Sequence, residues 1–315
     1  MFWRPIAPGI SISQAGFGAA TGGTLGCFVE DKETKKIMLL SNMHVLQFFQ
    51  SPPSFFYATP RPQSQLDIVQ PCAIELKEFA EQSIGRDKKA VWLKGHPPPK
   101  NPSYGTFSPP TTDPQKPSEP ITQTDIDKFY LKTLNEFVAS AIEKCTVAKF
   151  ERGFLETNFD AAVATLKPGV QWTNATLDGT QILAPPPVPT PGGPVWKYGD
   201  ASGIKKWGIG MVSQDKVKVP FKTFNNDSML FGPIDPASKQ LPVEFNAGQV
   251  WKITGTGGGT FQIQGDSGSA LCDQHNRLIG LMSAGGVGPT AYAIPIDVIF
   301  SKLNVSFPGV PSGTA

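Results

Sequence analysis

The segment Gly265-Asp266-Ser267-Gly268-Ser269 concentrates more chemistry than any other in the chain. A serine hydroxyl is a poor nucleophile until a base takes its proton and fixed donors receive the charge developing on the attacked oxygen. Glycines on both sides permit a tight turn, which lets the backbone N–H groups of Gly265 and Ser267 converge on one spot as an oxyanion hole. The chain offers three histidines as the base. His96 precedes three prolines and His275 lies in the polar turn Asp273-Gln274-His275-Asn276, so both are expected in solvent. His44 follows the apolar run Ile37-Met38-Leu39-Leu40 and is expected at the end of a buried strand, where a side chain is rigidly placed. A carboxylate that orients the imidazole is then required. Asp160 opens the run Asp160-Ala161-Ala162-Val163-Ala164, whose small residues allow close approach, whereas Asp67, Asp87 and Asp113 lack that setting.

Other chemistries find no support in the residues. Gly257-Gly258-Gly259 is not followed by Lys and Ser/Thr, so there is no phosphate-binding loop of that kind. No dense set of metal ligands stands out, and Cys27, Cys72, Cys145 and Cys272 are too dispersed for a zinc site or a disulfide framework. They are expected as reduced, buried, small hydrophobes. No metal or cofactor is expected.

The elements that must hold these residues are mostly β. Glycine (32) and proline (31) make up a fifth of the 315 residues, which favours turns over long helices. Residues 22–50 read as a hairpin of two apolar runs around a charged turn, and 161–166 as a short buried strand. Short strands are expected near 195–198, 208–213, 249–253, 269–272, 278–283 and 290–294, as in a sandwich or barrel. Apolar residues at three- and four-residue steps from Ile126 to Cys145 predict one long amphipathic helix, capped by Thr124 with Asp127. A short helix is expected at 296–303. Residues 92–120 are proline-rich and expected to be irregular, and the second proline-rich stretch, 184–194, reads as a linker.

The order His44, Asp160, Ser267 is that of the chymotrypsin fold, and here the sequence resembles the chymotrypsin-like (trypsin-like) serine peptidases. It is most similar to the bacterial and plant subgroup that includes the plant narrow-leaf proteins. The matching motifs are Pro8-Gly9-Ile10-Ser11, Gly23-Thr24-Leu25-Gly26, Ser41-Asn42-Met43-His44-Val45-Leu46, Asp160-Ala161-Ala162, residues 199–203, Gly265-Asp266-Ser267-Gly268-Ser269 and Ala293-Ile294-Pro295-Ile296. Residues 51–156 match poorly, and Met43, Cys72, Asp200 and Ala201 depart from the subgroup pattern.

The resemblance implies a mainly β fold of two six-stranded antiparallel barrels. Residues 1–183 would form the first, carrying His44 and Asp160 and an insertion at 51–156 with the proline-rich loop and helix. Residues 195–315 would form the second, carrying Ser267. It implies a serine endopeptidase acting on protein or peptide substrates through an acyl-enzyme. The alternatives are a catalytically silent peptide-binding scaffold, or an esterase or self-processing enzyme using the same serine. By the same alignment the pocket for the residue before the scissile bond is built from Phe261, Gln262, Ser283, Ala284, Gly285 and Thr290, with Tyr292 nearby. Phe261 stands where an arginine-selecting relative has an acid, so small or medium uncharged residues are expected there. Secreted relatives pair the aspartate before the nucleophile with a newly cut N-terminus. No such cleavage site precedes Gly22, so Asp266 is expected to be held by internal donors.

The net charge of +2 gives no electrostatic case for nucleic acid or a membrane surface. No apolar run approaches the ~18 residues of a membrane-spanning helix. Residues 1–5 lack a basic segment followed by an apolar one, and a cytoplasmic location is the default expectation.

Overall fold

The computed structural model describes residues 5–15, 22–46, 67–96, 122–222, 240–285 and 288–309. Most of the proline-rich 92–120 segment therefore lies outside the described residues. The elements in chain order are β1 (Ser11–Gln14), β2 (Gly23–Thr24), β3 (Cys27–Asp31), β4 (Ile37–Ser41), α1 (Met43–Leu46), β5 (Asp67–Val69), α2 (Ala73–Ile84), α3 (Lys88–Gly95), α4 (Gln123–Cys145), β6 (Thr146–Glu156) and β7 (Phe159–Leu166). Then come β8 (Pro194–Tyr198), β9 (Lys205–Val212), β10 (Val217–Lys222), β11 (Gln240–Phe245), β12 (Trp251–Gly255), β13 (Ala270–Asp273), β14 (Leu278–Gly285), β15 (Thr290–Pro295), α5 (Ile296–Lys302) and β16 (Val305–Ser306).

The fold is mainly β. Strands β12-β15-β14-β13-β8-β9 close into a six-stranded antiparallel barrel. The second sheet has the order β16-β3-β4-β7-β6-β5-β1-β2. Six of its strands form the body, and the two-residue strands β2 and β16 extend its ends. Only Leu25 and Gly26 separate β2 at one end from β3 near the other, so the sheet must curl. Leu25 N–H donates to Ile10 O (2.9 Å) and Gly26 N–H to Leu40 O (3.0 Å) across the closure. A Cβ on Gly26 would stand 2.5 Å from Gly268 O, so only glycine fits there. The last strand, β16, returns from the barrel side to pair with β3, Val305 opposite Asp31.

The strands read as unbroken apolar runs because both of their faces are buried. Phe28, Leu39, Ala162 and Ala164 point into the curl of the sheet, while Cys27, Val29, Met38, Leu40, Ala161 and Val163 point the other way. That second face packs on Trp196, Ala270, Cys272, Leu281 and Ile294 of the barrel strands. The barrel's interior is filled separately by Val195, Trp251, Ile253, Phe261, Leu271, Ile279 and Met282. All four cysteines are buried and none is joined in a disulfide.

Compact units divide the chain into Met1–Glu75 with Lys144–Ala315, and Leu76–Glu143. The second unit is helical. Lys88 Nζ meets Asp127 Oδ1 at 3.0 Å, and His96 stacks on Trp92 with ring centroids 4.3 Å apart. The long helix predicted from the apolar spacing is α4, but its cap lies two residues earlier than expected. Thr122 Oγ1 donates to Asp125 Oδ2 (2.6 Å) and accepts from Asp125 N–H (3.2 Å). Helices α2 and α3 were not expected. Helix α3 takes in residues 92–95, read from the sequence as irregular, and Asp87 caps it by accepting from the N–H groups of Lys89 and Ala90. The β10–β11 hairpin was also missed. Among the described residues no helix is long and apolar enough to cross a membrane.

Candidate active site

Ser267 sits in the loop leading into β13. Gly265 and Gly268 have φ of +98° and +90°, in the left-handed region. A Cβ on Gly268 would lie 2.1 Å from Ser41 Oγ and 2.3 Å from Thr24 O, so the close approach to β2 and β4 also demands glycine. Strand β2 grips this loop by its carbonyls: Thr24 N–H donates to Ser267 O (2.7 Å) and Thr24 Oγ1 to Gly265 O (2.8 Å). Among the described residues, no acceptor takes a hydrogen bond from the N–H of Gly265 or of Ser267. Those two donors are free for an incoming oxygen.

The loop's floor is an ion pair. Asp266 is fully buried and accepts from Lys197 Nζ (2.7 Å), Ser202 N–H (2.9 Å) and Ile263 N–H (3.0 Å). Lys197 is also fully buried, and its Nζ donates to Ser202 Oγ as well (3.1 Å). Burial pushes the Lys197 pKa below the ordinary lysine range, and the Asp266 charge opposes that shift. Internal donors thus hold Asp266. The sequence suggested such donors but not Lys197, because a lysine in a strand ordinarily reads as solvent-facing.

His44 lies within the single turn α1 directly after β4, rather than at the strand's end as expected from sequence. The turn forms because the backbone N–H of His44 donates to Asp160 Oδ1 (3.2 Å) while its neighbour Asn42 uses Nδ2 to hold Asp160 O (2.7 Å). His44 Nδ1 stands 2.6 Å from Asp160 Oδ2. A carboxylate only accepts, so Nδ1 carries the hydrogen and Nε2 of the neutral ring keeps its lone pair. Asp160 is fully buried and His44 is about one-fifth exposed.

Ser283 was expected only as a pocket residue. Its hydroxyl donates to Asp160 Oδ2 (2.6 Å), and its carbonyl accepts from Ser267 Oγ at 3.4 Å. One residue of β14 therefore links the carboxylate to the serine. The available signal was a single serine directly after the buried run Leu278-Ile279-Gly280-Leu281-Met282.

The remaining pocket residues divide. Gln262 is buried beside the serine, with Nε2 at 3.5 Å from Ser267 Oγ, and lies on Gly285. Phe261 is turned into the barrel core, with Lys197 Nζ 5.7 Å from its ring centre. Ala284 faces the core of the curled sheet. Thr290 opens β15 opposite Thr254, and Tyr292 is half-buried. His96 and His275 are both exposed, as the sequence suggested.

Behind the loop, Ala201 packs on Gly265: a Cβ there would lie 2.8 Å from Ala201 Cβ. Asp200 N–H donates to Thr24 Oγ1 (3.0 Å). Burial first, then the charges of Glu75 and Asp266, raise the Asp200 carboxyl to about 7. Among the described residues no group of three or more His, Cys, Asp or Glu could hold a metal ion.

No family model matches the chain, and no curated protein matches it. Solved structures that it resembles include a Nocardiopsis protease, at 10% identity and a TM-score of 0.48 over 96% of this chain and 99% of that one. Thermobifida fusca protease A matches at 10% identity and a TM-score of 0.47, over 96% and 100%. A serine protease described as specific for glutamic acid matches at 12% identity and a TM-score of 0.46, over 96% and 100%.

Proposed function

We propose that this chain is a serine endopeptidase with His44, Asp160 and Ser267 as its catalytic residues. The observation that carries the reading is the buried Asp160 carboxylate, which takes His44 Nδ1–H at 2.6 Å while Ser283 ties the same carboxylate to the Ser267 hydroxyl. Protein or peptide is the substrate class.

In this reading His44 Nε2 accepts the Ser267 proton as Oγ attacks the scissile carbonyl carbon. The carbonyl π electrons move to oxygen, and the N–H groups of Gly265 and Ser267 receive that charge. Because Lys197, Ser202 and Ile263 fix Asp266 between them, the two N–H groups need no reorganisation as charge develops, which is where such donors gain their effect. Asp160 keeps the imidazole in the useful tautomer and stabilises the imidazolium. His44 then gives its proton to the departing amine, leaving an acyl-Ser267, and repeats the cycle with water. Every proton and charge in the cycle is handled by groups of the chain.

A fluorophosphonate probe with mapping of the labelled residue tests this. Labelling at Ser267 that disappears in Ser267→Ala and in His44→Ala, together with cleavage of a denatured protein, is expected. Labelling without cleavage of any peptide favours the esterase alternative. No labelling at all favours the silent peptide-binding scaffold.

A further inference from the structure

Gln262 stands out because it is polar, 3% exposed and almost in contact with the nucleophile. Its Nε2 is 3.5 Å from Ser267 Oγ, and its Oε1 is buried without a hydrogen-bond partner. The side chain lies flat on β14: a Cβ built on Gly285 would be 2.9 Å from both Gln262 Cβ and Oε1, and 3.1 Å from Cδ.

An acyl carbon under attack must come within about 3–3.5 Å of Oγ. The side chain of the residue bearing it starts two bonds further on, in the shell around Oγ that the Gln262 amide occupies. In the proposed reaction the other directions are taken by the N–H groups of Gly265 and Ser267 and by the imidazole. What remains is the slot between Gln262 and the edge of β14 from Ser283 to Gly285. Carbon contacts need about 3.5–4.0 Å on each side of an inserted group. Gln262 already lies against Gly285, so the slot is closed to an inserted side chain while it is in place, and only a hydrogen or a methyl group, which stops at its mouth, is accommodated.

Resting on the peptidase reading, we propose that Gln262 determines specificity by filling this slot, so that the enzyme cleaves after glycine or alanine and excludes leucine and phenylalanine. This narrows the small-or-medium expectation drawn from the sequence. With its Oε1 unpartnered, the amide is held there by shape, so an unbranched apolar residue of equal length should do the same.

The test is kcat/KM on peptides differing only in the residue before the scissile bond, for the wild type, Gln262→Ala and Gln262→Met, with fluorophosphonate labelling of Ser267 in each. The wild type should favour alanine over phenylalanine by about a hundredfold. Gln262→Ala should shift that ratio toward phenylalanine by about tenfold or more, while Gln262→Met keeps the wild-type preference. Wild-type protein that cleaves after leucine or phenylalanine as well as after alanine overturns the inference without recourse to any variant. So does an unchanged preference in Gln262→Ala with Ser267 still labelled, and in both cases the peptidase reading survives. Failure of Ser267 to label in all three proteins overturns the peptidase reading and the inference with it.

Discussion

The curled sheet and the closed barrel position the proposed reacting groups by different means. The sheet holds His44 through uncharged donors converging on one carboxylate: the His44 ring and backbone N–H and the Ser283 hydroxyl, with Asn42 on the adjacent carbonyl. The imidazole stays about one-fifth exposed and can exchange protons. The barrel holds Ser267 through Asp266 and Lys197, two full charges with no exposed surface. A buried ion pair must recover a large desolvation cost from mutual attraction, so it is fragile to loss of one partner and tolerant of loss of both charges. A network of neutral donors loses only one increment at a time. One side of the proposed site should therefore fail gradually and the other abruptly.

The largest effect tests whether the two regions work as one unit. Ser267→Ala and His44→Ala should each lower kcat by about a millionfold, with the double variant little worse. Thermal unfolding should stay close to the wild type. Independent, additive losses in the double variant would separate the two groups.

Next comes the abrupt side. Lys197→Met leaves Asp266 buried without its cation and should destabilise the protein by about 3–5 kcal/mol. Adding Asp266→Asn removes the stranded charge, keeps an acceptor for Ser202 and Ile263, and should recover much of that loss. Urea unfolding of the two single variants and the double variant measures the coupling. A double variant as unstable as the sum of the singles would show that the pair is not the loop's anchor.

The gradual side gives a smaller number. Ser283→Ala removes one donor from Asp160 and leaves two, so the expected loss is about 1.5–3 kcal/mol for a hydrogen bond to a charged group. A loss as large as that of Lys197→Met would erase the contrast between the regions.

How much of the site is legible in the sequence follows the same division. His44 and Asp160 are each singled out on sequence grounds, because each stands at an apolar strand boundary and is marked by its near neighbours. The barrel strands are also visible there, since turn residues separate them at short intervals. Lys197 and Asp266 are 69 residues apart, and nothing local marks that lysine as buried. Ser283 reads as a pocket residue until the register of β14 turns its hydroxyl toward Asp160, 123 residues away. Helices α2 and α3 fall in the segment that matches no motif. Leu93 of α3 is 45% exposed and Val91 is its one buried residue, so no apolar stripe announces that helix. What the sequence encodes through local alternation is readable, and what it encodes through long-range partners is not.

The last contrast is in the pH dependence of stability, where two carboxyls again differ. Asp31, in the hairpin of the sheet, is held well below the usual carboxylate range, first by the Thr34 N–H and then by further hydrogen bonds and the Arg152 guanidinium, against the opposing effect of burial. Its contribution is full above the unfolded carboxylate value of ~3.9 and is lost as pH falls toward the folded value. Asp200, beside the Ser267 loop, is raised to about 7. Its sign is opposite: the folded state keeps a proton that the unfolded state has released, so stability is highest below ~3.9 for this group, declines as pH rises toward 7, and then levels off. Asp200→Asn should flatten the decline between pH 4 and 7 and leave the acid limb untouched, whereas Asp31→Asn should do the reverse. Unfolding midpoints in urea across that range measure both. A decline that persists unchanged in Asp200→Asn would mean that Asp200 is ionised at ordinary carboxylate pH and that Glu75 and Asp266 do not act on it.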